Sequence, residues 1–174
     1  MTPEQLLELN NIVFESEMEC IHDCKTPICA CTGAYPAEIV FLPGEAGWIK
    51  QQVGHIVFYA PGWVESFRIG PNTPCFFKAP DNNCKLGRWR PFVCHLFPLE
   101  VEFTEESFLI GVSSHCSMVG KLQAQFALDR LYALELIKQQ TSWEWQQQYN
   151  NAATFCKILV KGGETCDTKG HIVI

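Results

Sequence analysis

Near the start of the chain, Leu6, Leu9 and Val13 recur at helical spacing through a run of acidic and amide residues. Thr2-Pro3-Glu4-Gln5 marks where that helix begins, with Thr2 as the cap, Pro3 at the first helical position and Gln5 reaching back. Glu38 to Leu42 reads as a short strand closed by Pro43-Gly44, and Glu45 to Gln52 as a short helix. His55 to Tyr59 reads as a second strand, stopped by Ala60-Pro61-Gly62. Glu100 to Phe103 and Ser107 to Val112 pair across Thr104-Glu105-Glu106, whose two glutamates form a solvated turn rather than an acid–base pair.

The strongest helical pattern lies in Ser117 to Gln140. Leu122, Phe126, Ala133 and Ile137 occupy one face, and Lys121, Gln125, Asp129 and Gln139 the other. Thr141-Ser142-Trp143-Glu144 fits a capping box for another helix. Phe155 to Val160 reads as a strand, and Gly162 to Ile174 as a tail. Helices and strands mix without a regular βαβ rhythm, which predicts an α+β fold. The expected architecture is one small domain over 1–174, with cysteine-rich loops organised around a metal site over 15–120. A helical C-terminal part, 117–152, carries the long helix, whose Trp143 and Trp145 serve core packing rather than docking.

Composition changes this picture at one point. The chain has 174 residues, enough to bury a core without covalent staples, yet it carries ten cysteines. The net charge is −6 with no run of lysine or arginine, which argues against a nucleic-acid partner or an anionic membrane surface. The N-terminal residues are acidic and amide-rich where a secretory signal needs a basic start and an apolar run. The apolar stretches are too short to span a bilayer. The expected compartment is the cytoplasm, where thiols stay reduced and clustered cysteines point to metal binding or catalysis.

The cysteines cluster. Cys20, Cys24, Cys29 and Cys31 lie together, as do Cys75, Cys84 and Cys94; Cys116 precedes the long helix, and Cys156 and Cys166 fall outside the set. Several soft thiolates must converge on one ion, and short proline-bearing loops bring them together at little closure cost. Cys20 and Cys24 share a helix face if the first helix reaches them, and Pro27 then turns the chain so that Cys29 and Cys31 return toward it. Pro80-Asp81-Asn82-Asn83 is a turn signature that sets Cys75 and Cys84 facing each other across a hairpin. Gly87 ends that unit, and Pro91 opens a short helix carrying Cys94. Arg88 and Arg90 either offset a thiolate-rich centre or lie in solvent. The bland reading of the thiols is buried, inert cysteine.

Cys20-x3-Cys24-x4-Cys29-x-Cys31, followed by Cys75, Cys84 and Arg90-Pro91-x-x-Cys94-x-x-Phe97-Pro98, resembles the bacterial and archaeal YkgJ-like family of zinc- or iron-chelating domains. The Arg-Pro-x-x-Cys-x-x-Phe-Pro element is its most specific part, and the likeness spans about residues 15 to 120, where Cys116 suits the family's late cysteine. The family usually has adjacent cysteines where this chain has Cys29-Ala30-Cys31. The resemblance implies a metal centre more firmly than an activity. Similar cysteine patterns occur in flagellin lysine methylases carrying an iron–sulfur cluster, but this chain has no glycine-rich loop for a methyl donor.

The candidate metal ligands are thus Cys20, Cys24, Cys29, Cys31, Cys75, Cys84, Cys94 and Cys116. They divide into two four-thiolate sites, or one such site plus thiols that stay free or bind a second metal. Zinc is preferred; an iron–sulfur cluster or iron is the alternative, the long irregular spacing suiting either. Phe76, Phe77, Trp89, Phe92 and Phe97 would keep water from the centre. His22, His95 and His115 adjoin cysteines and are further candidates, as ligands or as hydrogen-bond partners of the site. No phosphate loop, dinucleotide glycine pattern or HExxH is present, so no catalytic residue is assigned. The expected role is structural or metal-handling. The alternative is electron transfer or support of a modifying enzyme through a protein partner that the sequence does not identify.

Overall fold

A computed structural model describes residues 1–15, 37–53, 66–69, 74–81, 83–112 and 124–161. Helix α1 (Pro3–Glu15) begins as its sequence dictates. The Thr2 N–H donates to Gln5 Oε1 at 2.8 Å, and the Gln5 N–H donates to Thr2 Oγ1 at 3.3 Å. Leu6, Leu9 and Val13 are all buried. The chain then forms β1 (Ala37–Val40), turns at Pro43-Gly44 and enters α2 (Glu45–Val53). Gly44 has a φ of +83°, and the Glu45 N–H closes the turn on the Leu42 carbonyl at 2.9 Å. Proline followed by a left-handed glycine is what such a turn demands.

Strand β2 (Ser66–Ile69) pairs antiparallel with β1, setting Ala37 opposite Ile69 and Val40 opposite Ser66. The sequence reading had no strand there; four residues give too short an alternation to stand out. Its expected strand at 55–59 lies outside the described residues. After a 3-10 turn (Gly87–Trp89) come the short helix α3 (Phe92–Leu96), then β3 (Leu99–Phe103) and β4 (Phe108–Val112). The last two form a second antiparallel pair, with Leu99 opposite Val112 and Phe103 opposite Phe108. This is the hairpin that the apolar pattern predicted, and Glu105 and Glu106 are exposed at its tip.

Helices α4 (Ala124–Gln140) and α5 (Trp143–Lys161) follow. Two expectations need correction here. Residues 155–160 are helical, a continuation of α5, because nothing in the sequence breaks the helix before Gly162. The cap of α5 is Ser142, whose Oγ accepts from the Trp145 N–H at 3.3 Å, while Thr141 instead donates to the Ile137 carbonyl at 2.7 Å. The mixture of helices with two small antiparallel sheets makes this a small α+β domain, as its sequence predicts. One core joins the elements: α1 packs on α4, α3 and α2, and α5 packs on β1 and β3. Trp145 is buried and donates from Nε1 to the Phe41 carbonyl at 3.1 Å, so its use is packing, as expected. Among the described residues, no helix is long and apolar enough to cross a membrane.

Candidate metal centre

Five of the eight candidate ligands, Cys20, Cys24, Cys29, Cys31 and Cys116, lie outside the described residues, as do His22 and His115. The other three, Cys75, Cys84 and Cys94, are all half-buried. A hairpin does form around the Asp81–Asn83 turn. The Asn83 N–H bonds to Asp81 Oδ1 at 3.0 Å, the Ala79 N–H donates to the Asn83 carbonyl at 2.8 Å, and the Lys85 N–H to the Phe77 carbonyl at 2.7 Å. Its register differs from expectation: Cys84 pairs with Lys78, not with Cys75. Gly87, at a φ of +57°, leads the chain out, and its N–H bonds to the Cys84 carbonyl at 2.9 Å. Pro91 then caps α3, whose first described backbone bond runs from the Cys94 N–H to the Pro91 carbonyl at 2.8 Å.

Cys94 lies within electrostatic range of both Cys84 and Cys75. Burial pushes the Cys94 thiol well above its ordinary value, and the Cys84, Cys75 and Glu45 charges push it further. Arg90 acts the other way, favouring the Cys94 thiolate. Burial also lowers Arg90, and the Cys94 charge resists that fall. Of the two arginines flagged by sequence, Arg90 therefore sits with the thiols. Arg88 instead bonds Asn11 Oδ1 at 2.6 Å and lies over the rings of Phe14 and Trp89. Of the five aromatics, Phe77 and Phe92 are buried and Trp89 and Phe97 half-buried, but Phe76 is 59% exposed and screens nothing.

His95 is buried beside Cys94, with Nδ1 at 3.4 Å from Arg90 Nε. Burial, then the Arg90 and Arg130 charges, lowers it to about 3, so the ring is neutral at physiological pH. Asn10, Glu45, Arg90 and His95 face a cavity of about 10 Å³, the size of one water.

Two residues near this site were not flagged by the sequence reading. Glu45 is 3% exposed; Oε1 accepts from the Phe92 N–H at 2.7 Å and Oε2 from the Leu42 N–H at 2.8 Å. Burial raises it to about 7 against those two bonds. Arg130 is fully buried, donates from Nε to the His95 carbonyl at 3.0 Å, and stacks 3.6 Å over the Phe126 ring. Burial lowers it to about 10, with Asp129 opposing and Arg90 adding to the fall. Arg130 left a trace in the sequence: it sits in the apolar stripe of Phe126, Ala133 and Ile137, where a charge is rare without a partner. Glu45 left none, because its second partner is far along the chain.

Among the described residues, no three His, Cys, Asp or Glu side chains are gathered tightly enough to hold an ion by themselves. Cys75, Cys84 and Cys94 supply soft donors of the right kind, with a cation beside them and aromatic cover over part of the cluster, and so fit as part of a thiolate centre. Comparison with protein-family models, curated proteins and solved structures finds no match for this chain.

Proposed function

We propose that the chain is a metal-binding protein of the YkgJ-like kind, in which cysteine thiolates hold zinc in a structural or metal-handling role. The observation that supports this reading is that the Cys94 thiol, on α3, lies within electrostatic reach of Cys84, Cys75 and the Arg90 guanidinium. A thiolate centre gains from a cation, because metal binding displaces the thiol protons and offsets the negative charge that burial penalises. Bound zinc would supply charge neutralisation and a fixed tetrahedral node for the irregular segment 74–98. Cys75, Cys84 and Cys94 would contribute ligands, Arg90 would balance surplus negative charge, and Phe77 and Phe92 would exclude water.

The test is elemental analysis and an absorption spectrum of protein purified without oxygen, for wild type and Cys94→Ser. Stoichiometric zinc that falls in the variant supports the reading. A broad visible band with iron and sulfide would replace zinc by an iron–sulfur cluster, and fully titratable thiols without metal would overturn both. Structural zinc can supply on the order of 10 kcal/mol of folding free energy, so chelation should destabilise the zinc form strongly.

A further inference from the structure

We propose that Glu45 and Arg130 are positioning residues for Cys94, gripping the short helix α3 on both sides of the thiol so that it stands beside Cys84 and Cys75 before any ligand arrives. This deepens the thiolate-centre reading and rests on it only where metal affinity is measured.

Helix α3 has five residues. A helix so short cannot hold itself, since nucleation is unfavourable and most of its backbone groups lack partners within it. Two of those groups are bonded by ionisable side chains from elsewhere. Two residues before Cys94, the Phe92 N–H donates to Glu45 Oε1 at 2.7 Å; the other oxygen takes the Leu42 N–H, tying α3 to the end of β1. One residue after Cys94, the His95 carbonyl accepts from Arg130 Nε at 3.0 Å. Arg130 has little freedom to swing away, because it is fully buried against Phe126.

Burying two ionisable groups is costly, and apolar residues of similar volume commonly hold a core at least as well. A methionine or leucine at 130 would continue the stripe of Phe126, Ala133 and Ile137. What an apolar side chain cannot do is bond one chosen backbone atom. Both bonds fall within two residues of the same cysteine, and that shared target separates positioning from general packing.

The experiment uses the full chain, reduced and metal-free, as wild type, Glu45→Gln, Arg130→Met, Arg130→Lys and Leu134→Ala. The last removes a core side chain from α4 (Leu134 is 1% exposed) and calibrates what instability alone does. Iodoacetamide labelling of Cys94, Cys75 and Cys84 is followed by peptide mass spectrometry, and Co2+ affinity by absorption titration. Cys94 should label about tenfold faster in Glu45→Gln and Arg130→Met than in Leu134→Ala at matched stability, with Arg130→Lys restoring most of the protection. Co2+ affinity should fall by about ten- to a hundredfold in the same two variants. Equal labelling of Cys94 in Leu134→Ala and Arg130→Met, or failure of lysine to restore it, would overturn the proposal. If wild type takes up no Co2+, the metal reading fails by itself, and the labelling comparison still decides the positioning role.

Discussion

The β3–β4 hairpin with α5 and the cysteine-bearing segment 74–98 belong to one core but are held by different means. In the first, rings do the work: Phe103 meets Phe108, Trp145 and Tyr149 edge to face at centroid distances of 6.3, 6.0 and 5.4 Å. In the second, backbone atoms are held by distant polar side chains: Asn10 donates to the Arg88 carbonyl at 2.6 Å, Glu45 accepts from Phe92, and Arg130 donates to His95. The contrast separates a region built on a ring cluster, with polar tethers from Asn150 and Lys138 at the hairpin tip, from one whose geometry depends mainly on such tethers. The ring cluster tolerates changes that preserve volume, each polar tether only those that preserve a donor or acceptor.

Four substitutions measure that contrast. Trp145→Ala should cost the most, about 3–5 kcal/mol in a denaturant melt, by emptying the ring cluster and freeing the Phe41 carbonyl. Arg130→Met should cost about 1–3 kcal/mol while raising amide exchange chiefly around α3; an equal rise across β3 and β4 would break the distinction. Asn150→Ala should cost about 2 kcal/mol, since this amide accepts from the Phe103 N–H at 2.8 Å and donates to its carbonyl at 2.7 Å. A loss near zero would mean that water replaces those bonds.

Tyr149→Phe should be nearly neutral at pH 7 and differ only in base. Burial first, then the Glu100 charge, raises the Tyr149 hydroxyl above its ordinary 10.0. The unfolded chain ionises there as the pH passes 10 and the folded chain resists, so this contribution is complete below that point and fades above it. Alkaline melts of Tyr149→Phe should therefore fall less steeply than wild type, and parallel curves would contradict the desolvation of that hydroxyl.

The same contrast explains what could be read from the residues alone. Thr2–Val13, the Pro43-Gly44 turn, α2 and the β3–β4 hairpin follow from neighbours two to four positions apart, and their sequences announce them. Pro91 announced the helix bearing Cys94. The pairing of Cys84 with Lys78, the division of labour between Arg88 and Arg90, and the reach of Glu45 to Phe92 depend on long-range contacts that no local pattern encodes. The strand expected over 155–160 failed because six mostly apolar residues, interrupted by Lys157, have no clear period of their own, and the helix already under way absorbs them.

Asn150 has a consequence beyond its contribution to stability. A two-stranded hairpin leaves two edges, and an unfilled edge invites strand addition from another chain. The Asn150 amide accepts from one backbone group of Phe103 and donates to the other, imitating a single rung of a neighbouring strand at the tip end of β3. A helix cannot extend that imitation into a second rung, so pairing stops where it starts. At that one rung the side chain fills the place that an added strand would take.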